Sequence, residues 1–353
     1  MRIALVASPF IAVPPTHYGG TELFIAQLAE GLQQRGLDVV VYTNGESTVK
    51  VERRALYPQA QWPIAGEVYD NLKDLNHASW ALRDAAAAGC DLIHVNNVPG
   101  IVFSRFVKQP VVYTMHHPHV AELSEIFEHF PKVQYVTISD FQRRLERVPR
   151  LRTIHHGLDF TQYQCGAGKR DYLAFIGRIA PVKGPDLAIA AAKKAGIPLK
   201  IAGEVQPVFR AYFEREVLPQ IDGKFIQYIG EVDMAEKNEL LAGARALLFP
   251  IQWDEPFGLV MIEAMACGTP VLALPGGSVP EVVNEGVSGH LCRNVDEMAD
   301  HARHLALPPA AVRADAEARF SIARMVQEYQ DLYAELLAAP GAAVPADLGE
   351  AVA

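Results

Sequence analysis

The sequence predicts an α/β protein of two doubly wound, Rossmann-like domains, and three observations lead to that class. Short apolar runs closed by glycine or proline, each followed by a stretch of helical composition, recur from the N-terminus onward. This is the alternation expected of parallel strands joined by crossover helices. It is interrupted once, by the small and polar stretch FTQYQCGAGKRD (160–171), and then resumes. At 353 residues the chain is also long enough for about two domains of ordinary size. The expected limits are 1–162 for the first domain and 163–319 for the second. A helix over 320–338 is expected to cross back to the first domain, and a tail over 339–353 to be disordered.

Taken in order, IALVA (3–7) is an uninterrupted apolar run, the form of a strand buried on both faces. The segment PFIAVPPTHYGG (9–20), punctuated by proline and glycine, reads as a long irregular loop. Thr21 is expected to cap a helix over Glu22–Gln34, because Leu23, Phe24, Ala26, Leu28 and Leu32 recur at helical spacing; Gly36 ends it before a strand over 38–43. Strand, glycine turn, helix and strand make a βαβ opening, but Y-G-G lacks the order G-x-G-x-x-G and supports no dinucleotide fingerprint. Further strands are expected at 92–95, 111–115, 135–138 and 153–154, while 44–80 carries no readable chemistry.

After the linker, strands are expected in YLAFIG, LKIAG, FIQYIG and ALLF and over 271–274, with helices over 185–195, 208–218 and 235–243 and from Leu259 to Gly268. From Ala310 the chain reads as one helical stretch. Its apolar stripe is Phe320, Ile322, Met325, Val326, Tyr329, Leu332, Tyr333, Leu336 and Leu337. Two such parallel sheets are expected to face a central cleft.

The chemistry-bearing residues fall at the carboxyl ends of these strands, where α/β folds place ligands. EPFGLVMIEAMACGTPV (255–271) puts Glu255 in a strand-to-helix loop and Glu263, eight positions on, just over one turn inside the helix. The N–H groups around Phe257, Gly258 and Leu259 belong to a helix N-terminus, suited to a phosphate or a sugar oxygen. Either glutamate alone reads as a solvated charge. As a pair beside an anion site they fit acceptors of hydroxyl hydrogen bonds. GRIAPVKG places Arg178 and Lys183 at another strand's carboxyl edge, where a guanidinium fork and a point charge can hold a diphosphate. His116, His117 and His119 follow the strand VVYTM; their spacing lacks the i, i+4 geometry of a helical metal site, and one histidine touching a substrate is the preferred reading. Residues 141–152 carry five arginines against one glutamate. A solvated face ranks first there, an anionic acceptor second and a membrane surface third.

Composition narrows the class. A net charge of −9 argues against a nucleic-acid surface, and four scattered cysteines without a C-x-x-C pair suggest neither a zinc site nor a disulfide framework. No apolar run approaches a membrane span or a signal segment, so a cytoplasmic enzyme is expected, with no peripheral membrane contact indicated.

With these residues in hand, the chain resembles the retaining nucleotide-sugar glycosyltransferases of family 4, which have the GT-B architecture. The resemblance covers about 1–337 and rests on YGGTE, TMHH, HHGLD (155–159), IGRIAPVKG, the E-x7-E string and PEVVNEGVSGHL, in that order. It implies that Arg178 and Lys183 hold the donor diphosphate and Glu263 the ribose hydroxyls. It further implies that Glu255, with backbone groups of Phe257, Gly258 and Leu259, positions the hexose. Gly19 and Gly20 would let the first loop approach the phosphates, and His116 would contact the sugar, with His117 as the fallback. His156 stands where the family usually has asparagine. The implied reaction moves a hexose from a UDP-, GDP- or ADP-linked donor to an acceptor hydroxyl of unknown identity. It runs on the face the leaving group departs, without cofactor or required metal, and the chain contains no D-x-D pair. Two other readings keep the fold: a nucleotide-sugar isomerase of the 2-epimerase type, and a catalytically silent nucleotide-sugar-binding protein.

Overall fold

The computed structural model describes residues 1–16, 19–62, 64, 68–166 and 169–338; the tail expected over 339–353 lies outside the described residues. The chain forms two compact units. The first comprises Met1–Ile138, Arg143–His155 and the chain from Ile322 onward, and the second Ser139–Gln142 and His156–Ser321.

The sheet of the first unit is entirely parallel. Its strands are β1 (Arg2–Val6), β2 (Asp38–Thr43), β3 (Glu52–Ala55), β4 (Leu92–Val95), β5 (Val111–Met115), β6 (Gln134–Thr137) and β7 (Leu151–Thr153), in the order β3-β2-β1-β4-β5-β6-β7. Both faces are covered, which is why the strands read as unbroken apolar runs. Ile3 and Leu5 pack with Leu28, Leu32, Tyr329 and Leu332 of helices Gly20–Gln34 and Ile322–Ala338, whereas Ala4 and Val6 pack with Leu82 and Ala85 of helix Val68–Ala87.

One polar network crosses this core. His94, fully buried on β4, bonds Tyr333 Oη at 2.7 Å through Nδ1 and Thr114 Oγ1 at 2.8 Å through Nε2; Thr114 in turn meets Tyr329 Oη at 2.9 Å. Burial pushes the His94 imidazole down to about 3, so it stays neutral.

The second unit has the strands β8 (Tyr172–Ile176), β9 (Leu199–Ala202), β10 (Ile226–Tyr228), β11 (Ala244–Phe249), β12 (Val271–Ala273) and β13 (Gly289–Leu291), parallel and in the order β10-β9-β8-β11-β12-β13. Leu173, Phe175 and Leu248 face Ala188, Ile189, Ala192, Met298 and Ala302 of helices Pro185–Ala195 and Val295–His304. Ala174 and Ala244 face Leu240 of helix Met234–Gly243. In each sheet the unit's first strand is central and the order reverses beside it, between β1 and β4 and between β8 and β11. These are the switch points at which such sheets bind ligands.

Several expectations need correction. Helix Gly20–Gln34 starts ahead of Thr21: Gly19 is the N-cap, and Leu23 N donates to its carbonyl at 3.0 Å. Strand β3 was not expected, because ERRA is a charged edge held by Arg2 and Arg54 through Glu52 and Asp84. The helix expected over 208–218 is a chain of short turns, α-helical only over Arg210–Tyr212 and then π-helical over Phe213–Val217. The stretch from Ala310 is two helices, Pro309–Phe320 and Ile322–Ala338, broken at the extended Ser321. Apart from Ser139–Gln142, the second unit takes up the chain at His156, ahead of the expected 163; Leu158 N bonds Phe320 O at 2.8 Å and Arg313 Nη2 bonds Phe160 O at 2.6 Å within it.

Candidate active site

In the second unit the switch point gathers the residues of GRIAPVKG and EPFGLVMIE. The strand β8 ends at Ile176, and the loop that follows carries Arg178 and a single 3-10 turn, Pro181–Lys183, before helix Pro185–Ala195. Strand β11 ends at Phe249, and its loop is tied to the first through Gln252 N to Val182 O at 2.8 Å.

Lys183 Nζ donates to Glu255 Oε2 at 2.6 Å and lies 4.8 Å from the centroid of the Trp253 ring; Trp253 Nε1 donates to the same oxygen at 2.8 Å. Glu255 is therefore no solvated loop charge: it is 7% exposed and ion-paired. Arg178, half-buried, makes no side-chain hydrogen bond or ion pair among the described residues, which leaves its five donors for a ligand.

The loop that carries Glu255 is held from below by Gly276–Ser278. Ser278 N donates to Glu255 O and Ser278 Oγ to Phe257 O, both at 2.9 Å. A Cβ on Gly277 would lie 2.3 Å from Glu255 O and 2.4 Å from Glu255 N, so only glycine lets these strands of chain meet. The Phe257 ring points into the core, edge-on to His156 at 5.1 Å and to Phe320 at 5.7 Å. His156, the departure from the family's asparagine, is thus a packing partner of the site loop. Gly258 takes φ +79° and caps helix Leu259–Ala266, whose first N–H groups have no preceding intrahelical carbonyl. The opposite end of this short helix is met by two arginines. Arg313 donates to Ala266 O, and Arg170 to Cys267 O at 3.1 Å and Gly268 O at 2.7 Å, cations where the helix dipole is negative.

Glu263 lies on that helix, 5% exposed. Its Oε1 accepts from Lys237 Nζ and, at 3.2 Å, from Tyr163 Oη. Burial and the neighbouring carboxylate push the Tyr163 phenol far up, so it remains a donor.

In the first unit Gly19 and Gly20 begin helix Gly20–Gln34 after the long loop from β1. Glu22, in its first turn, is 8% exposed, and burial raises its carboxyl to about 7. His116 follows β5; its Nε2 donates to Asn96 Oδ1 at 3.0 Å and its ring lies 4.8 Å from that of Phe24. His117 bonds Pro118 O through Nδ1 at 2.7 Å and Tyr113 Oη through Nε2 at 3.1 Å, so its ring nitrogens serve the fold. His119 pairs with Glu146 at 2.9 Å. Of the basic stretch, Arg143, Arg144, Arg147 and Arg150 are exposed, and Arg152 pairs with Glu335 at 2.8 Å.

Two family models divide the chain between them. One described as Glycosyltransferase Family 4 matches residues 18–162, and one described as Glycosyl transferases group 1 matches residues 165–313. The chain belongs to glycosyltransferase family 4. The enzyme is 26% identical over 374 residues to a D-inositol 3-phosphate glycosyltransferase of Mycolicibacterium paratuberculosis, covering 89% of this chain and 84% of the relative. Among solved structures it is similar to AviGT4, a glycosyltransferase involved in avilamycin A biosynthesis, with 25% identity and a TM-score of 0.70 over 96% of this chain and 98% of that one. It also shares its fold with Anabaena Alr3699/HepE, solved in complex with UDP and glucose, at 17% identity and a TM-score of 0.75 over 95% and 100% of the two chains. These likenesses make it a glycosyltransferase of the GT-B type. No helix among the described residues is long and apolar enough to cross a membrane.

Trp253, Lys237, Tyr163 and Ser278 escaped sequence reading. Trp253 stands two places before Glu255 and offered a weak signal; Lys237 and Tyr163 lie 26 and 100 residues from the glutamate they meet, a proximity only the fold creates.

Proposed function

We propose that the enzyme transfers a hexose from a nucleoside diphosphate sugar to an acceptor hydroxyl with retention at the anomeric carbon. The observation that carries this reading is the second unit's switch point, where an uncommitted Arg178, Lys183 and the N-terminus of helix Leu259–Ala266 stand with two buried glutamates.

Rupture of the anomeric C–O bond puts positive charge on the sugar and an additional negative charge on the departing diphosphate. Arg178, as a fork, and Lys183, which keeps two of its three donors after bonding Glu255, meet that charge. Glu263 accepts from the ribose hydroxyls, and Glu255 with the backbone of Phe257–Leu259 orients the hexose. His116, Gly19 and Gly20 contribute the sugar and phosphate contacts of the first unit. The acceptor hydroxyl enters on the face the diphosphate leaves, and the diphosphate takes its proton. Two cations at the leaving group supply what a divalent metal supplies elsewhere, so none is required. A double displacement through Glu255 is not invoked, since it requires a carboxylate against the anomeric carbon on the face opposite the leaving group, and the reading gives Glu255 the hexose hydroxyls instead.

The test is nucleotide release from UDP-, GDP- and ADP-linked hexoses, with and without acceptors. An inositol phosphate belongs in the acceptor panel because the mycobacterial relative is named for one. Acceptor-dependent release, unaffected by EDTA and giving an α-linked product from an α-linked donor, is expected. A β-linked product would sink retention, and loss of turnover with EDTA would sink the metal-free scheme. Sugar isomerised without acceptor would point to the 2-epimerase reading instead.

A further inference from the structure

The two glutamates of the E-x7-E string are anchored alike, by unrelated residues. Glu255 receives a lysine (Lys183) and an aromatic donor (Trp253) on a single oxygen, Oε2, and Glu263 receives a lysine (Lys237) and an aromatic donor (Tyr163) on a single oxygen, Oε1. In both, the other oxygen has no partner among the described residues, yet neither belongs to the enclosed unsatisfied polar atoms, so each reaches solvent-accessible surface. A carboxylate has about four acceptor positions. Two donors on one oxygen saturate that side and leave the second oxygen's lone pairs in a fixed direction.

The donors suit this task and little else. Ammonium and indole N–H can only donate, which suits them to hold a carboxylate oxygen. Lys237 stands in the first turn of helix Met234–Gly243, already capped by Asp233 and Glu236, where the helix dipole disfavours a cation. Its own helix gives no reason for a lysine there; the carboxylate of Glu263 does.

We propose that Lys237 and Tyr163 are positioning residues for Glu263, and Trp253 for Glu255, each set holding one carboxylate oxygen so that the other is presented to a hydroxyl of the donor. The proposal rests on the reading above that Glu263 meets the ribose.

Isothermal titration with UDP, GDP and ADP identifies the nucleoside diphosphate that the wild type binds tightest, and its 2′,3′-dideoxy counterpart is then measured against it. The wild type should prefer the ribose form by about tenfold or more, the order of one charged hydrogen bond. Lys237→Met and Tyr163→Phe should each reduce that preference by about three- to tenfold while leaving affinity for the dideoxy form within about twofold. Lys237→Arg should restore part of it. Unchanged dideoxy affinity certifies the folded site, so a merely structural role would not produce this pattern. If Glu263→Gln abolishes the preference while Lys237→Met and Tyr163→Phe keep it, the positioning role is wrong. If Glu263→Gln keeps it as well, or no nucleoside diphosphate binds, the ribose reading itself fails and the inference falls with it. In turnover, Trp253→Phe, which keeps a ring beneath Lys183, should lower kcat at least tenfold with KM for the donor within about threefold; an unchanged kcat would overturn the Glu255 half.

Discussion

Replacing Lys183 by methionine should damage the enzyme twice, and the two effects can be separated. The ion pair has Nζ and Oε2 2.6 Å apart with side chains only 15% and 10% exposed. At an effective dielectric of about 20 the attraction is roughly 6 kcal/mol before desolvation is subtracted. Removing one partner of a buried pair costs about 3–5 kcal/mol; Glu255 keeps Trp253 and some solvent, so about 2–3 kcal/mol is expected from Lys183→Met. Glu255→Gln in the same chain removes the stranded charge, and the double variant should recover at least 1 kcal/mol relative to the sum of the singles. Activity should not recover. A lost cation at the leaving group costs about 2.7–4 kcal/mol, on the order of 10²–10³ in rate, and Glu255→Gln restores no cation. Urea unfolding gives the stability cycle and nucleotide release gives the rate. A double variant that regained both stability and turnover would refute the assignment of Lys183 to the diphosphate.

Other outcomes follow from single sites. Glu22, held near 7 rather than 4.5, destabilises the first unit when ionised, by on the order of 3 kcal/mol at pH 8. The unfolded chain releases that proton first, so the cost grows from pH 4.5 to 7; Glu22→Gln should raise Tm at pH 8 and change little at pH 4.5, and equal effects at both would be contrary. His94 has the opposite sense: its folded value of about 3 lies below the usual 6.5, so stability is full above 6.5 and falls by about 1.4 kcal/mol per pH unit below it. His94→Gln should flatten the Tm profile between pH 6.5 and 4, and a slope as steep as wild type would count against the network. Gly277→Ala should cut turnover by more than tenfold while Gly286→Ala, whose Cβ meets open space, should cost only its backbone strain; equal turnover in both would mean the Glu255 loop does not depend on that contact.

The sheets were legible because a strand buried on both faces must be apolar throughout, as IALVA, VVYTM and YLAFIG are. What failed was local structure set by tertiary partners. Nothing in ARFSIAR marks a helix break, since it has neither proline nor glycine; the break at Ser321 is made by Leu158, which bridges to it and bonds Phe320 O. The edge strand ERRA has no apolar signal because its charges face neighbours and water. The motif residues could be read from spacing, whereas what each glutamate touches could not, because Lys237 and Tyr163 reach Glu263 only through the sheet order.

That local pairing resolves a conflict visible in the sequence, where two carboxylates flank a place suited to phosphate. Free carboxylates there would repel a diphosphate. In the folded unit Glu255 is matched by Lys183 and Glu263 by Lys237, while Arg178 makes no ion pair among the described residues. Two arginines, Arg170 and Arg313, meet the negative end of helix Leu259–Ala266, leaving its positive end toward the loop of Glu255 and Gly258. On the proposed reading the glutamates act on hydroxyls without opposing the phosphates, because each has its charge answered by a lysine and keeps one oxygen for hydrogen bonding. Lys237→Met would disturb this pairing away from the leaving group, which is why its effect should appear in recognition of the ribose rather than in the rate of bond cleavage.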